Sequence, residues 1–198
     1  MTSRSKKLPK QLALELADPR RRPEKRALKK EHGGEVHAKR RERKEERPFN
    51  PAKSLHVTMR STYAVGERSM LHPSRSRVIR RIVFSAAGRH GIILQRYVCV
   101  GNHLHFLIRT KSHRMRQARP ALRAFLREVA GLVARVVTGA KKGTPSGIDR
   151  PFWDHLAWSR IVEWGRDLVI LKKYIEKNIQ EFLFILFENG WPTPELPP

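Results

Sequence analysis

One stretch of twelve residues constrains the fold of this chain more than any other: Val98-Cys99-Val100-Gly101-Asn102-His103-Leu104-His105-Phe106-Leu107-Ile108-Arg109. Side chains alternate across a β-strand with period two, so Leu104, Phe106 and Ile108 share one side and His103 and His105 share the other. The apolar set needs a core. The two imidazoles then face away from it together, where one metal ion could bridge them. A His-x-His on a strand also arises with no ligand in view, so its meaning depends on what the rest of the chain supplies.

Ile92 to Val100 has strand character and Gly101-Asn102 makes a tight turn, so a β-hairpin delivers the histidines. Leu55-His56-Val57-Thr58-Met59-Arg60 alternates in the same way. It predicts a first strand with Leu55, Val57 and Met59 inward and His56, Thr58 and Arg60 on the other face. Val78, Ile79, Ile82, Val83 and Ala86 recur at helical spacing, which predicts a helix over Ser74 to Ala87 that Gly88 stops. From about Pro120, Leu122, Phe125, Leu126, Val129, Leu132, Val133, Val136 and Val137 keep an apolar stripe that Gly139 ends. Ala140 to Asp149 is a loop by composition. Trp158 to Trp164 reads as a fourth strand, and a third helix spans Arg166 to Phe187 until the Pro-rich end stops it. The order β-α-β-β-α-β is the ferredoxin-like pattern. The expected fold is therefore α+β: four antiparallel strands, two helices on one face, and an additional C-terminal helix over part of the other.

Charge speaks about partners. The 198 residues carry a formal net charge of +24, which favours a nucleic-acid partner. Met1 to Pro48 holds 17 Lys or Arg against 8 Asp or Glu and few aromatics. Such a segment buries little apolar surface. Residues 1–48 are read as a basic, mobile N-terminal extension, 49–190 as the folded domain and 191–198 as a Pro-rich tail. Between Glu67 and Glu128 there is no acidic residue, against 13 Arg and one Lys. Arg over Lys suits forked contacts to phosphate oxygens, and Arg60, Arg75, Arg77, Arg80, Arg81, Arg109, Arg114 and Arg116 are the candidate DNA contacts. No apolar run approaches the roughly 18 residues of a membrane span, and the N-terminus lacks a secretory apolar core. A soluble intracellular protein with no membrane partner is expected. Cys99 has no second cysteine to pair with and reads as a buried bystander.

Tyr174 and Asn178 lie four residues apart on the third helix, so both side chains emerge from one face. An amide oxygen can be a third metal ligand and a phenol can be a nucleophile. Singly, Tyr174 reads as a packing aromatic and Asn178 as a solvated helix residue; over a strand offering two histidines they make a chemical set. His56 faces the same side if the first and third strands are neighbours, as the ferredoxin-like order requires. It is a supporting candidate that contacts DNA or a metal-bound water. His72, His90, His113 and His155 read as surface or loop residues.

These motifs resemble the single-tyrosine HUH transposases, and among them the IS200-like and REP-associated tyrosine transposases. The resemblance rests on Tyr97-Val98-Cys99-Val100-Gly101-Asn102-His103-Leu104-His105-Phe106-Leu107-Ile108, on Tyr174-Ile175-Glu176-Lys177-Asn178 and on His56 to Arg60, and it covers about Pro48 to Glu181. It implies a ferredoxin-like HUH domain with the nucleophile on a late helix. It also implies cleavage and rejoining of single-stranded DNA through a 5′-phosphotyrosine at hairpin sequences, REP-like or at element ends. The expected setting is the bacterial cytoplasm, on the nucleoid when bound to DNA. His103, His105 and Asn178 would correspond to the ligands of Mg²⁺ or Mn²⁺ and Tyr174 to the nucleophile. The family often has Gln where Asn178 stands, and imidazole is an atypical ligand for Mg²⁺. A rival is a non-catalytic DNA-binding protein, repressor or architectural, on a transposase-derived scaffold; it fits the charge equally but needs no Tyr174, His103 or His105. An RNA-binding module ranks below both, since the face in question offers His, Thr and Arg rather than stacking aromatics. Family members occur as tyrosine-helix-exchanged dimers and as monomers. The run Phe182 to Phe187 has a core and an interface reading, which leaves a homodimer open.

Overall fold

Strand β4 of the computed structural model is paired along both edges, which makes it central. The structure describes residues 31–34, 46–141 and 148–191. Within them the chain forms β1 (Glu31–His32), β2 (Ser54–Arg60), α1 (Pro73–Arg89), β3 (Ile92–Cys99), β4 (His103–Thr110), α2 (Met115–Thr138), β5 (Trp158–Val162) and α3 (Arg166–Glu188). The sheet order is β1-β5-β2-β4-β3, and every neighbouring pair is antiparallel. Without β1 this is the ferredoxin-like order. β4 lies between β2 and β3, with Thr58 opposite His105, Arg60 opposite His103 and Val98 opposite His105 on the other side.

Alternation assigns the two faces. Leu55, Val57, Met59, Leu104, Phe106 and Ile108 are buried in one core with Ile79 and Val83 of α1 and Leu122, Phe125, Val129 and Val133 of α2. Phe106 stacks on Tyr97 at 5.6 Å and meets Phe125 edge-on at 5.9 Å, the arrangements aromatic quadrupoles favour. On the opposite face, Val98, Val100, Leu107 and Val162 pack against Leu171 and Ile175 of α3. The molecule therefore has three layers, and α3 covers much of the face that the four-strand pattern leaves bare.

Helix α3 docks through Leu171, Ile175, Asn178, Phe182 and Leu186, all buried. Their spacing is one helical stripe. At its first turn, Asp167 accepts from Arg160 Nη1 of β5 at 2.8 Å and from the Glu163 amide at 2.9 Å, and a carboxylate there also suits the helix dipole. The Phe182 to Phe187 run divides between its two readings: Phe182 and Leu186 are buried, while Leu183, Phe184 and Phe187 are exposed. Among the described residues no helix is long and apolar enough to cross a membrane.

Two elements differ from expectation. α2 begins at Met115, upstream of Pro120. Proline removes one backbone donor, but the turn before it is secured by fully buried Ala118 and by the Gln117 and Ala118 amides donating to the Arg114 carbonyl. β1 lies inside the stretch read as an N-terminal extension. Its approach depends on Gly33, whose φ is +83° and whose place could not take a Cβ, since that atom would lie 2.2 Å from the Ala157 carbonyl oxygen. Arg47 ties the returning chain to the same strand end, reaching Ser159 Oγ and, at 2.9 Å, the Ala157 carbonyl. Residues 1–30 and 35–45 of that extension and residues 192–198 of the tail lie outside the described residues.

Because α3 is held mainly by its apolar stripe, Leu171→Ala should cost about 2–5 kcal/mol in urea unfolding. Phe187→Ala, at a position 82% exposed, should stay within about 0.5 kcal/mol. Equal effects from the two changes would contradict the docking described.

Candidate active site

The ladder between β2 and β4 brings three histidines to the face under α3. His103 and His105 emerge from β4, and His56 from β2. The ring of His105 stands 4.8 Å from that of His103 and 5.7 Å from that of His56, stacked in the second case. Tyr174 completes the group from α3, with its ring 5.6 Å from His105 and 6.2 Å from His56. It sits beside the buried stripe rather than within it, one turn before Asn178, and so is partly buried while Asn178 is 4% exposed. Trp158 of β5 closes one flank, edge-on to His56 at 5.4 Å.

Polar contacts hold the rings. Nδ1 of His105 meets Thr58 Oγ1 at 3.2 Å, and Nδ1 of His103 meets Asn102 Oδ1. Asn178 Nδ2 donates to the Tyr174 carbonyl at 2.9 Å. Nε2 of His105 and Nε2 of His56 are buried and have no hydrogen-bond partner. Buried polar atoms are nearly always satisfied, so two unsatisfied nitrogens in one place mark where a ligand would be taken up.

Electrostatics keep the three rings neutral. Burial pushes the His56 imidazole down to about 3, and the Arg160 guanidinium adds to this while Asp167 opposes it. Burial, aided by Arg60, lowers His103 to about 4. His105 lies well below the ordinary value, first through burial and then through its two histidine neighbours. Burial raises the Tyr174 phenol; a hydrogen bond with Asn178 opposes this and the Glu181 charge adds to it. The ring nitrogens are therefore available as donors at neutral pH, and the phenol is protonated.

The donors present fit a divalent cation. Two neutral imidazoles, one with an unsatisfied buried Nε2, lie on the sheet face that α3 covers, and α3 carries the buried amide of Asn178. Among the described residues no group of three His, Cys, Asp or Glu could hold a metal ion. An ion here would take two imidazoles and an amide oxygen, with His56 beside rather than inside the ligand set.

The arginines divide. Arg60 and Arg109 belong to the histidine-bearing face. Arg60 lies 3.8 Å from Asp154, and Arg109 Nη2 reaches the Ala52 carbonyl at 3.4 Å while its buried Nε has no hydrogen-bond partner. Arg75, Arg77, Arg80 and Arg81 are on α1, and Arg114 and Arg116 precede and open α2. Both helices cover the opposite face of the sheet, so these six are not brought to the histidines. Arg75 donates to the Glu67 carbonyl and Arg80 stacks over Phe84 at 5.5 Å. Of the histidines set aside from the sequence, His72 caps α1 through Nδ1 and His90 bonds Glu128. Sequence reasoning put Thr58 on the histidine face and Asn102 in the turn before His103 but gave neither a contact with a ring, and it missed Trp158 as a neighbour of the site. For Thr58 the signal was its alternation with core-facing Val57 and Met59, which puts it on the face of His56.

No protein-family profile matches the chain, and no curated protein does. Among solved structures, that of a REP-associated tyrosine transposase bound to a REP hairpin is similar over 75% of this chain and 75% of its own, at 14% identity and a TM-score of 0.47. A candidate transposase from Deinococcus radiodurans is similar over 68% of this chain and 97% of its own, at 16% identity and a TM-score of 0.37. At these values neither likeness carries an activity or a residue role to this chain.

Neutral buried histidines make the fold acid-sensitive. An unfolded histidine takes its proton near 6.5, whereas His103 and His56 in place take theirs only near 4 and 3. The stabilisation is complete above pH 6.5 and is lost as pH falls towards those values. Between these limits each fully buried ring should contribute up to about 1.4 kcal/mol per pH unit. Urea midpoints measured from pH 7.5 to 5 should fall steeply, and less steeply in His56→Gln; a flat profile would contradict the burial.

Proposed function

We propose that this chain is a single-stranded DNA transposase and endonuclease that cleaves and rejoins DNA through Tyr174, with hairpin DNA as its substrate. The observation that carries the reading is the contact of the late-helix Tyr174 ring with His105, next to His103, and with His56, on the helix that also carries the buried Asn178 amide. The motif resemblance and the charge of the chain agree with it.

Tyr174 Oη is the attacking atom. A bond forms between Oη and phosphorus as the bond from phosphorus to the 3′ oxygen breaks. The phenol proton passes to solvent, and the departing 3′ oxygen takes one up as a free hydroxyl. The product is a 5′-phosphotyrosine, a diester like the one cleaved, so attack by a 3′ hydroxyl reverses the step with no nucleotide cofactor. His103, His105 and Asn178 would hold Mg²⁺ or Mn²⁺, which when bound polarises the scissile phosphate and favours phenolate over phenol. The chain supplies the rest. Partial burial limits water around the nucleophile, Asn178 ties its amide to the Tyr174 carbonyl, and Arg60 and Arg109 put positive charge on the face that the phosphate backbone would approach. His56, neutral and buried with Nε2 unsatisfied, would support the neighbouring His105 ring on which it stacks.

Labelled single-stranded hairpin DNA incubated with the protein and Mn²⁺ should give a covalent adduct on a denaturing gel. The adduct should vanish in Tyr174→Phe and fall by about a hundredfold or more in His103→Ala. Tight hairpin binding with no adduct under any divalent cation would contradict the proposal and favour a non-catalytic DNA-binding protein.

A further inference from the structure

Each histidine of the His-x-His pair has its Nδ1 held by an oxygen from a residue with no assigned role. We infer that Asn102 and Thr58 are positioning residues that fix His103 and His105 as Nδ1–H tautomers, so that both Nε2 lone pairs face the candidate ion site. The inference deepens the metal-assisted reading of that site and rests on it.

For His103 the partner decides. Asn102 presents Oδ1, which accepts and cannot donate, so Nδ1 carries the proton and Nε2 of the neutral ring carries the lone pair. Asn102 is itself fixed by backbone. Its carbonyl accepts from the Ser61 amide at 2.9 Å and its amide donates to the Val100 carbonyl at 2.8 Å, while the Val100 amide donates to the His103 carbonyl at 2.9 Å. Gly101 makes the turn with φ +75°, and a Cβ there would press on Ser69 Oγ at 3.1 Å.

For His105 burial decides. A threonine hydroxyl can donate or accept, so Thr58 alone leaves the tautomer open. Nε2 of His105, however, is buried without a partner. A buried N–H with no acceptor is the rarer and costlier defect, compared with an unfilled lone pair. The proton therefore sits on Nδ1 and is donated to Thr58 Oγ1. Thr58 is directly opposite His105 in the β2 and β4 ladder, so strand register sets this contact just as the hairpin turn sets the other. In the opposite tautomer each ring would present an N–H to a cation and lose its function as a ligand.

The test uses the full chain and the metal alone. Side-chain ¹⁵N NMR of the metal-free protein should show both histidines as Nδ1–H. By Mn²⁺ titration followed by electron paramagnetic resonance, Thr58→Val and Asn102→Leu should each weaken affinity by about 10 to 100-fold. Thr58→Ser, which keeps the hydroxyl, should restore most of it, and this rescue separates positioning from a folding defect. Protonation at Nε2 of either ring would overturn the inference, as would wild-type Mn²⁺ affinity in a folded Thr58→Val chain or no Mn²⁺ binding by the wild type. Nδ1–H tautomers and Mn²⁺ binding in a chain that forms no DNA adduct would support this inference while sinking the nuclease reading.

Discussion

Burial of β4 on both faces is the constraint that the rest of the structure inherits. Leu104, Phe106 and Ile108 are enclosed by α1 and α2, and Leu107 by α3. Side chains alternate with period two, so a slip of one residue would drive His103 and His105 into the apolar core and expel its large members. Burying each of those apolar side chains contributes roughly 1.5–3 kcal/mol, which makes the slipped register far less stable. The placement of the imidazoles is thus secured by packing on the side of the sheet that does no chemistry.

The same logic orients the phenol. The stripe from Leu171 to Leu186 fixes the rotation of α3, and Arg160 paired with Asp167 fixes its start over β5. Tyr174, one position outside the stripe, then falls beside His105. The site so formed keeps unsatisfied nitrogens, and each buried polar group without a partner costs about 1–3 kcal/mol. Such a cost persists where a ligand relieves it. Arg60 and Arg160 oppose protonation of His103 and His56, with Asp167 partly offsetting Arg160 at His56, so cations suited to attract phosphate also help burial keep the rings neutral as donors.

Much of this was legible in the amino-acid order because it depends on periodicity. β2, α1, the hairpin of β3 and β4, and α3 all carry a face that must be buried, and their apolar positions say so. That Tyr174 comes beside His105, next to His103, followed from which faces those elements present. The start of α2 was not legible, since Pro120 reads as a first turn and the fully buried Ala118 before it has little hydrophobic signal of its own. β1 is two residues in a charged run, and its pairing depends on the backbone at Gly33 rather than on any side-chain pattern. The position of His56 needed strand order as well as periodicity, and the ferredoxin-like pattern supplied it. Thr58 and Asn102 could be placed near the histidines but not bonded to them, because a hydrogen bond is a matter of ångströms and a pattern resolves only faces. The arginines show the same limit: their number was plain, while the separation of Arg60 and Arg109 from those on α1 and α2 required the layers.

The central claim is that the phenol beside the two imidazoles is the group that reacts. The most direct measurement is mass spectrometry of peptides from the protein after incubation with hairpin DNA and Mn²⁺, locating the residue that carries the nucleotide. The account predicts a phosphonucleotide on Tyr174 and on no other residue. Modification of Tyr63 or Tyr97, or nucleotide attached to no tyrosine, would contradict it.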